Sequence, residues 1–169
     1  LPEDLIFHVR YLGGDMIDFS INFSRPGSQV IAQYYNFLRL GMNGYARIQQ
    51  SCQDVALYLS SEIEKLGPFK LITRGDDIPV FCWKMDEEYE KTSHFSLYDL
   101  ADKLRQRGWL VPAYPMPKNR DDLVVQRVVV KEDFSRHLAE RLLEDIRRAV
   151  EYFESQPGIA KKEDGAHFR

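Results

Sequence analysis

Leu123-Val124-Val125-Gln126-Arg127-Val128-Val129-Val130 decides the architecture. A stretch this rich in β-branched residues favours a pleated strand. It is also too short, and too interrupted by Gln126 and Arg127, to span a bilayer as a helix. C-terminal to it, Phe134, Leu138, Leu142, Leu143, Ile146, Val150 and Phe153 recur at helical spacing and predict a final amphipathic helix. N-terminal to it, Pro112 to Arg120 reads as loop and Trp109 to Val111 as a short strand. Ser96-Leu97-Tyr98-Asp99 resembles a capping box opening a helix that runs to Arg107 and stops at Gly108. Asp86 to Ser93 reads as a charged loop, and Phe69 to Thr73 and Val80 to Met85 as strands. Together these segments predict a small α+β domain, an antiparallel sheet with helices on one face.

Further out, Leu5 to Val9 and Phe19 to Phe23 read as short strands, with Gly13-Gly14 favouring a hairpin between them. After Pro26-Gly27 the pattern turns helical, with Val30, Ile31, Tyr34, Tyr35, Phe37 and Leu38 at helical spacing and Ser28 as the candidate N-cap. A second helical stretch from Tyr45 to Leu66 carries Ile48, Cys52, Val55, Ala56, Leu59 and Ile63 on one face and ends at Gly67-Pro68. Gly41 and Gly44 between them mark a bend or a break. The first segment cannot close its own core, so the long helix is expected to join it to the second. The tail, residues 155–169, is polar.

The chain has 169 residues, 44% hydrophobic and 29% charged, which suffices for one good core. Aromatic content of 12% argues against a disordered chain. Net charge is −3 with the basic residues scattered, which argues against nucleic acid as the main partner. Cys52 and Cys82 lack metal-type spacing, and a reducing, cytoplasmic compartment is the expectation. The four histidines form no ligand pattern, so no metal is expected, and neither cysteine has a nucleophile's partner. The chain begins at Leu1 within what already reads as structure, and it is expected to be a piece of something larger.

Three places carry candidate chemistry. Ser24-Arg25-Pro26-Gly27-Ser28 lies between a strand end and a helix start, where free N–H groups and a hydroxyl suit a phosphate; an ordinary turn and cap explains it too. Arg127 within its valine-rich strand needs a carboxylate, a phosphate or a path to solvent. It is either half of an internal ion pair or a bidentate clamp for a substrate carboxylate. Tyr11-Leu12-Gly13-Gly14 is a hairpin tip, either a plain turn or a flap over a neighbouring pocket.

Several of these stretches resemble one family. Val9-Arg10-Tyr11-Leu12-Gly13-Gly14, Ile21-Asn22-Phe23-Ser24-Arg25-Pro26, Gln29 to Tyr35 and Phe37-Leu38-Arg39-Leu40-Gly41 are similar to the pyridoxal-phosphate-dependent glutamate decarboxylases. So are Lys65-Leu66-Gly67-Pro68, Leu97-Tyr98-Asp99-Leu100, Arg107 to Ala113 and the Val124 to Val130 strand. The resemblance runs from Leu1 to about Phe153 and covers the C-terminal part of the family's length.

It implies an α/β chain: the C-terminal part of a type I pyridoxal-phosphate fold, preceded by a β-hairpin and a long connecting helix. Residues 1–66 would end the large cofactor domain and include that helix. Residues 67–154 would form the small domain and residues 155–169 a flexible tail. The implied reaction is L-glutamate to 4-aminobutanoate and CO2, in a homo-oligomer away from membranes. Ser24 matches a serine that reaches the cofactor phosphate of the neighbouring subunit. Arg127 matches the arginine that holds the substrate α-carboxylate, and Tyr11 and Leu12 match a hairpin at the active-site entrance. The tail has no Trp within a basic stretch, so calmodulin is not an expected partner; His167 stands where bacterial enzymes carry a histidine implicated in closing the site. The cofactor-bearing lysine should lie in a His-Lys pair upstream of Leu1, and no lysine precedes Lys65. No catalytic residue is therefore assigned within this chain, which is expected to be inactive alone. The alternatives are another decarboxylase of the same group and a non-catalytic dimerisation or binding module.

Overall fold

The computed structural model describes residues 2–3, 6–11, 14–18, 24–156 and 161–162. Near the N-terminus β1 (Phe7–Tyr11) pairs antiparallel with β2 (Gly14–Asp18), and Tyr11 stands opposite Gly14. The two strands form a hairpin, but β2 occupies residues 14–18, ahead of the expected Phe19 to Phe23 strand, so Gly14 stands in the ladder rather than in a turn. The strand expected at Phe19 to Phe23 lies outside the described residues.

The 37-residue α1 (Ser28–Glu64) follows. Ser28 is its first helical residue, and Gly27 holds the cap position with no side-chain hydrogen bond to the free N–H groups. The helix bends at Gly41, whose φ of 58° and ψ of −173° leave the helical region and favour a residue without a Cβ. The two sides of the bend differ in kind. Cys52, Val55, Ala56, Leu59 and Ile63 are buried, whereas Ile31, Tyr34 and Leu38 are exposed.

Beyond Gly67, β3 (Phe69–Thr73) and β4 (Val80–Met85) occupy the stretches that their apolar content predicts. Asp86 to Ser93 is not a loop: it contains α2 (Glu87–Thr92). The Asp86 carboxylate accepts from the N–H groups of Glu88 and Tyr89 at 3.0 and 3.2 Å, and Glu87, Glu88 and Glu90 in the first turn favour the helix dipole. The capping box at Ser96 opens α3 (Leu97–Arg105): the Ser96 N–H donates to Asp99 Oδ2 at 2.9 Å, and the Asp99 N–H returns to Ser96 Oγ.

The short strand expected at Trp109 to Val111 instead forms as β5 (Ala113–Pro115). Val111 gives its carbonyl to a side chain, and Pro112 has no N–H for a ladder. The valine-rich stretch is β6 (Val124–Val129), and α4 (Arg136–Glu154), capped by Ser135, ends the fold.

The sheet order is β3-β4-β6-β5, antiparallel throughout. Strand alternation sends Phe81, Trp83, Met85 and Gln126 to one face, where the C-terminal half of α1 packs with α3 and α4. Cys82, Arg127 and Val129 take the opposite face, and no helix belongs to the layer there among the described residues. Helices therefore do lie on one side of an antiparallel sheet. Trp83 and Gln126 stand directly opposite each other, and Trp83 Nε1 and Gln126 Oε1 are buried without a hydrogen-bond partner among the described residues.

Candidate functional site

Arg127 is held by β6 with Cys82 of β4 as its cross-strand partner. On the other flank the ladder to β5 runs only from Ala113 to Pro115, opposite Gln126 to Val124. The sheet therefore ends beside Arg127 and opens into a groove of about 320 Å³. Trp109, Val111, Pro112, Tyr114 and Phe134 line it together with Arg127. Arg127 is half-buried, and its guanidinium carbon lies 5.8 Å from the centre of the Tyr114 ring. A planar cation against apolar and aromatic walls, at an opening of this size, suits the planar, two-oxygen shape of a carboxylate.

Electrostatics support that arrangement. Burial pushes the Cys82 thiol up to about 11, against the pull of the Arg127 charge. At neutral pH the residue facing Arg127 across the ladder is therefore an uncharged thiol, and it does not compensate the guanidinium.

The wall facing Arg127 is fastened from below. Trp109 Nε1 donates to Asp145 Oδ2 at 2.8 Å, and Arg107 Nε donates to Asp145 Oδ1 at 3.1 Å. The Trp109 ring meets Phe134 edge-on, with centroids 6.4 Å apart. Gln126 Nε2 donates to the Val111 carbonyl at 2.8 Å. Sequence reasoning assigned nothing to Asp145, Gln126 or Trp109. The available signals were an acid at position 145 within the apolar stripe of Leu142, Ile146 and Ala149, and an amide at position 126 inside a valine run.

The other candidates stand apart from this groove. Ser24 is exposed in the turn before α1, at the opposite end of that helix from its buried residues. The uncapped first turn of α1 presents N–H groups beside an exposed hydroxyl, a donor set that fits a phosphate. Tyr11 ends β1 opposite Gly14 in the hairpin; Leu12 and His167 lie outside the described residues. Among the described residues no three His, Cys, Asp or Glu side chains gather as a metal site, and no helix is long and apolar enough to cross a membrane.

A sheet-and-helix layer behind a long bent helix, with an arginine at an apolar groove, matches a known class. Residues 1–86 match the pyridoxal-dependent decarboxylase conserved domain, and the chain belongs to that family. It is 52% identical over 158 residues to a glutamate decarboxylase of Aliivibrio fischeri, covering 93% of this chain and 34% of that protein. It is 45% identical over 151 residues to a glutamate decarboxylase of Lactococcus lactis subsp. lactis, covering 89% of this chain and 32% of that one. The solved structure of a Lactobacillus brevis glutamate decarboxylase superposes with a TM-score of 0.75 at 44% identity, over 91% of this chain and 34% of that one. A sphingosine-1-phosphate lyase of Burkholderia pseudomallei, at 20% identity and a TM-score of 0.60, shares the fold. The chain spans about a third of the length of the curated relatives it matches.

Proposed function

We propose that this chain is part of a pyridoxal-phosphate-dependent glutamate decarboxylase, converting L-glutamate to 4-aminobutanoate and CO2, and that Arg127 grips the substrate α-carboxylate. The observation that carries the reading is the half-buried Arg127 at the mouth of the apolar groove. When bound, the cofactor supplies the electron sink that makes loss of CO2 possible.

This chain's residues do the positioning. The Arg127 fork fixes both carboxylate oxygens and so sets the attitude of the bond to be broken, which a lysine's point charge would do less well. Trp109, Val111, Pro112 and Phe134 exclude water around the pair and strengthen it. The Cys82 thiol across the ladder stays neutral at neutral pH, so it places no negative charge beside the bound carboxylate. Ser24 and the first N–H groups of α1 would hold the cofactor phosphate, and Tyr11 and Leu12 would border the entrance.

No lysine occurs in residues 1–64, and none of the later ones sits in a His-Lys pair, so attachment of the cofactor is assigned to another part of the protein. The isolated chain then does not turn over glutamate. The exposed apolar side of α1, with Ile31, Tyr34 and Leu38, supports burial in a homo-oligomer. Residues 1–66 are assigned to the large domain and connecting helix, 67–154 to the small domain, and 155–169 to the tail. Two free, buried cysteines support a cytoplasmic setting.

The test is Arg127→Lys in the full-length protein, assayed for 4-aminobutanoate. Charge-assisted hydrogen bonds contribute about 1.5–3 kcal/mol, so KM for L-glutamate should rise on the order of 10- to 100-fold. The cofactor's visible absorbance should stay as it was. An unchanged KM would remove Arg127 from substrate binding.

A further inference from the structure

We infer that Gln126 and Asp145 are positioning residues that hold the Trp109–Val111 wall at a set distance from Arg127 and so tune the groove for its carboxylate ligand. The inference rests on the reading of Arg127 given above.

Residues 109 to 111 belong to no strand or helix. Two side chains stand in for the missing ladder. Asp145, buried on α4, accepts the indole N–H of Trp109, and Gln126, with 0% exposure, donates to the Val111 carbonyl. Gln126 immediately precedes Arg127 in β6 and points to the opposite face. The clamp on the wall and the guanidinium are thus carried by adjacent residues of one strand, and a shift of one is felt by the other.

The amide at position 126 is not explained by stability. Its Oε1 is buried without a partner among the described residues, which is unfavourable. A leucine there would remove that orphan and leave the Val111 carbonyl unpaired instead, so the two costs nearly cancel. What distinguishes glutamine is the fastening of Val111. Asp145 follows the same logic: its second oxygen takes the exposed Arg107, while the first fixes the orientation of a groove-lining indole.

The experiment uses the full-length enzyme with Gln126→Leu, Asp145→Ala and Asp145→Asn, measuring kcat, KM for L-glutamate and melting temperature. Gln126→Leu and Asp145→Ala should raise KM roughly three- to tenfold, the size of one hydrogen bond's net contribution, with kcat within about twofold. The melting temperature of Gln126→Leu should stay near that of the parent. Asp145→Asn keeps an acceptor for the indole N–H and should restore KM. Should Gln126→Leu fail to fold, the Asp145 pair decides by itself. An unchanged KM in Gln126→Leu and Asp145→Ala, alongside a raised KM in Arg127→Lys, overturns this inference alone. An unchanged KM in Arg127→Lys overturns the parent reading, and this one with it.

Discussion

Replacing Leu59 by alanine tests whether the second half of α1 is part of the core formed by the four-stranded sheet, α3 and α4. Leu59 is 0% exposed and lies in the same buried cluster as Phe81, Trp83 and Ile146. Truncating a buried leucine in a close-packed interior removes its transfer free energy and leaves a cavity, together about 3–5 kcal/mol. With a urea slope of about 2 kcal/mol per M, the unfolding midpoint of the chain should fall by roughly 2 M. The matched control is Leu38→Ala on the other side of the Gly41 bend. Leu38 is 68% exposed, so its loss should change stability by less than about 0.5 kcal/mol in the isolated chain, a midpoint shift below about 0.25 M. Trp83, fully buried in β4, reports the transition by fluorescence. Equal shifts for the two variants, or a Leu59 effect below about 1 kcal/mol, would refute the division of α1 into a core half and an uncovered half.

Cys82 should resist alkylation at pH 8, with about a hundredfold less thiolate than a thiol of ordinary pKa 9.0, because burial raises it to about 11. Since the folded value is the higher one, the associated stability is present below pH 9 and is lost as pH rises through about 11; mass-mapped iodoacetamide labelling across that range follows it. Asp99→Ala breaks the capping box and frees the Lys162 N–H that Asp99 accepts at 3.1 Å. It should lower stability by about 1–2 kcal/mol and speed tryptic cleavage at Lys161 and Lys162, and an unchanged cleavage rate would mean that this contact does not anchor the segment. Gly41→Ala meets no atom within 4 Å, yet forces a Cβ onto φ 58°. In the full-length protein it should lower the melting temperature, from a cost of about 1–3 kcal/mol; a rise would mean that α1 runs straight.

The sequence by itself determined whatever depends on local pattern. Strands β3, β4 and β6 declare themselves by short apolar stretches, α3 by its Ser96 box and α4 by its apolar stripe. Gly41 announces the bend because a glycine inside a helical pattern is costly unless a special backbone angle uses it. Arg127 stood out because a charge among valines needs an answer. Local pattern failed where distant residues compete for the same groups. Asp86 to Ser93 reads as a charged loop, but Asp86 caps residues 87–92 into α2. Trp109 to Val111 has strand composition, yet Val111 gives its carbonyl to Gln126 and Trp109 its indole to Asp145, so the strand starts later. Only the tertiary structure decided that Arg127 borders a groove, because the groove's walls come from three separate parts of the chain. The physical reason is range: propensity and capping act within a few residues, whereas burial and side-chain hydrogen bonding are settled only once the sheet and α4 have met.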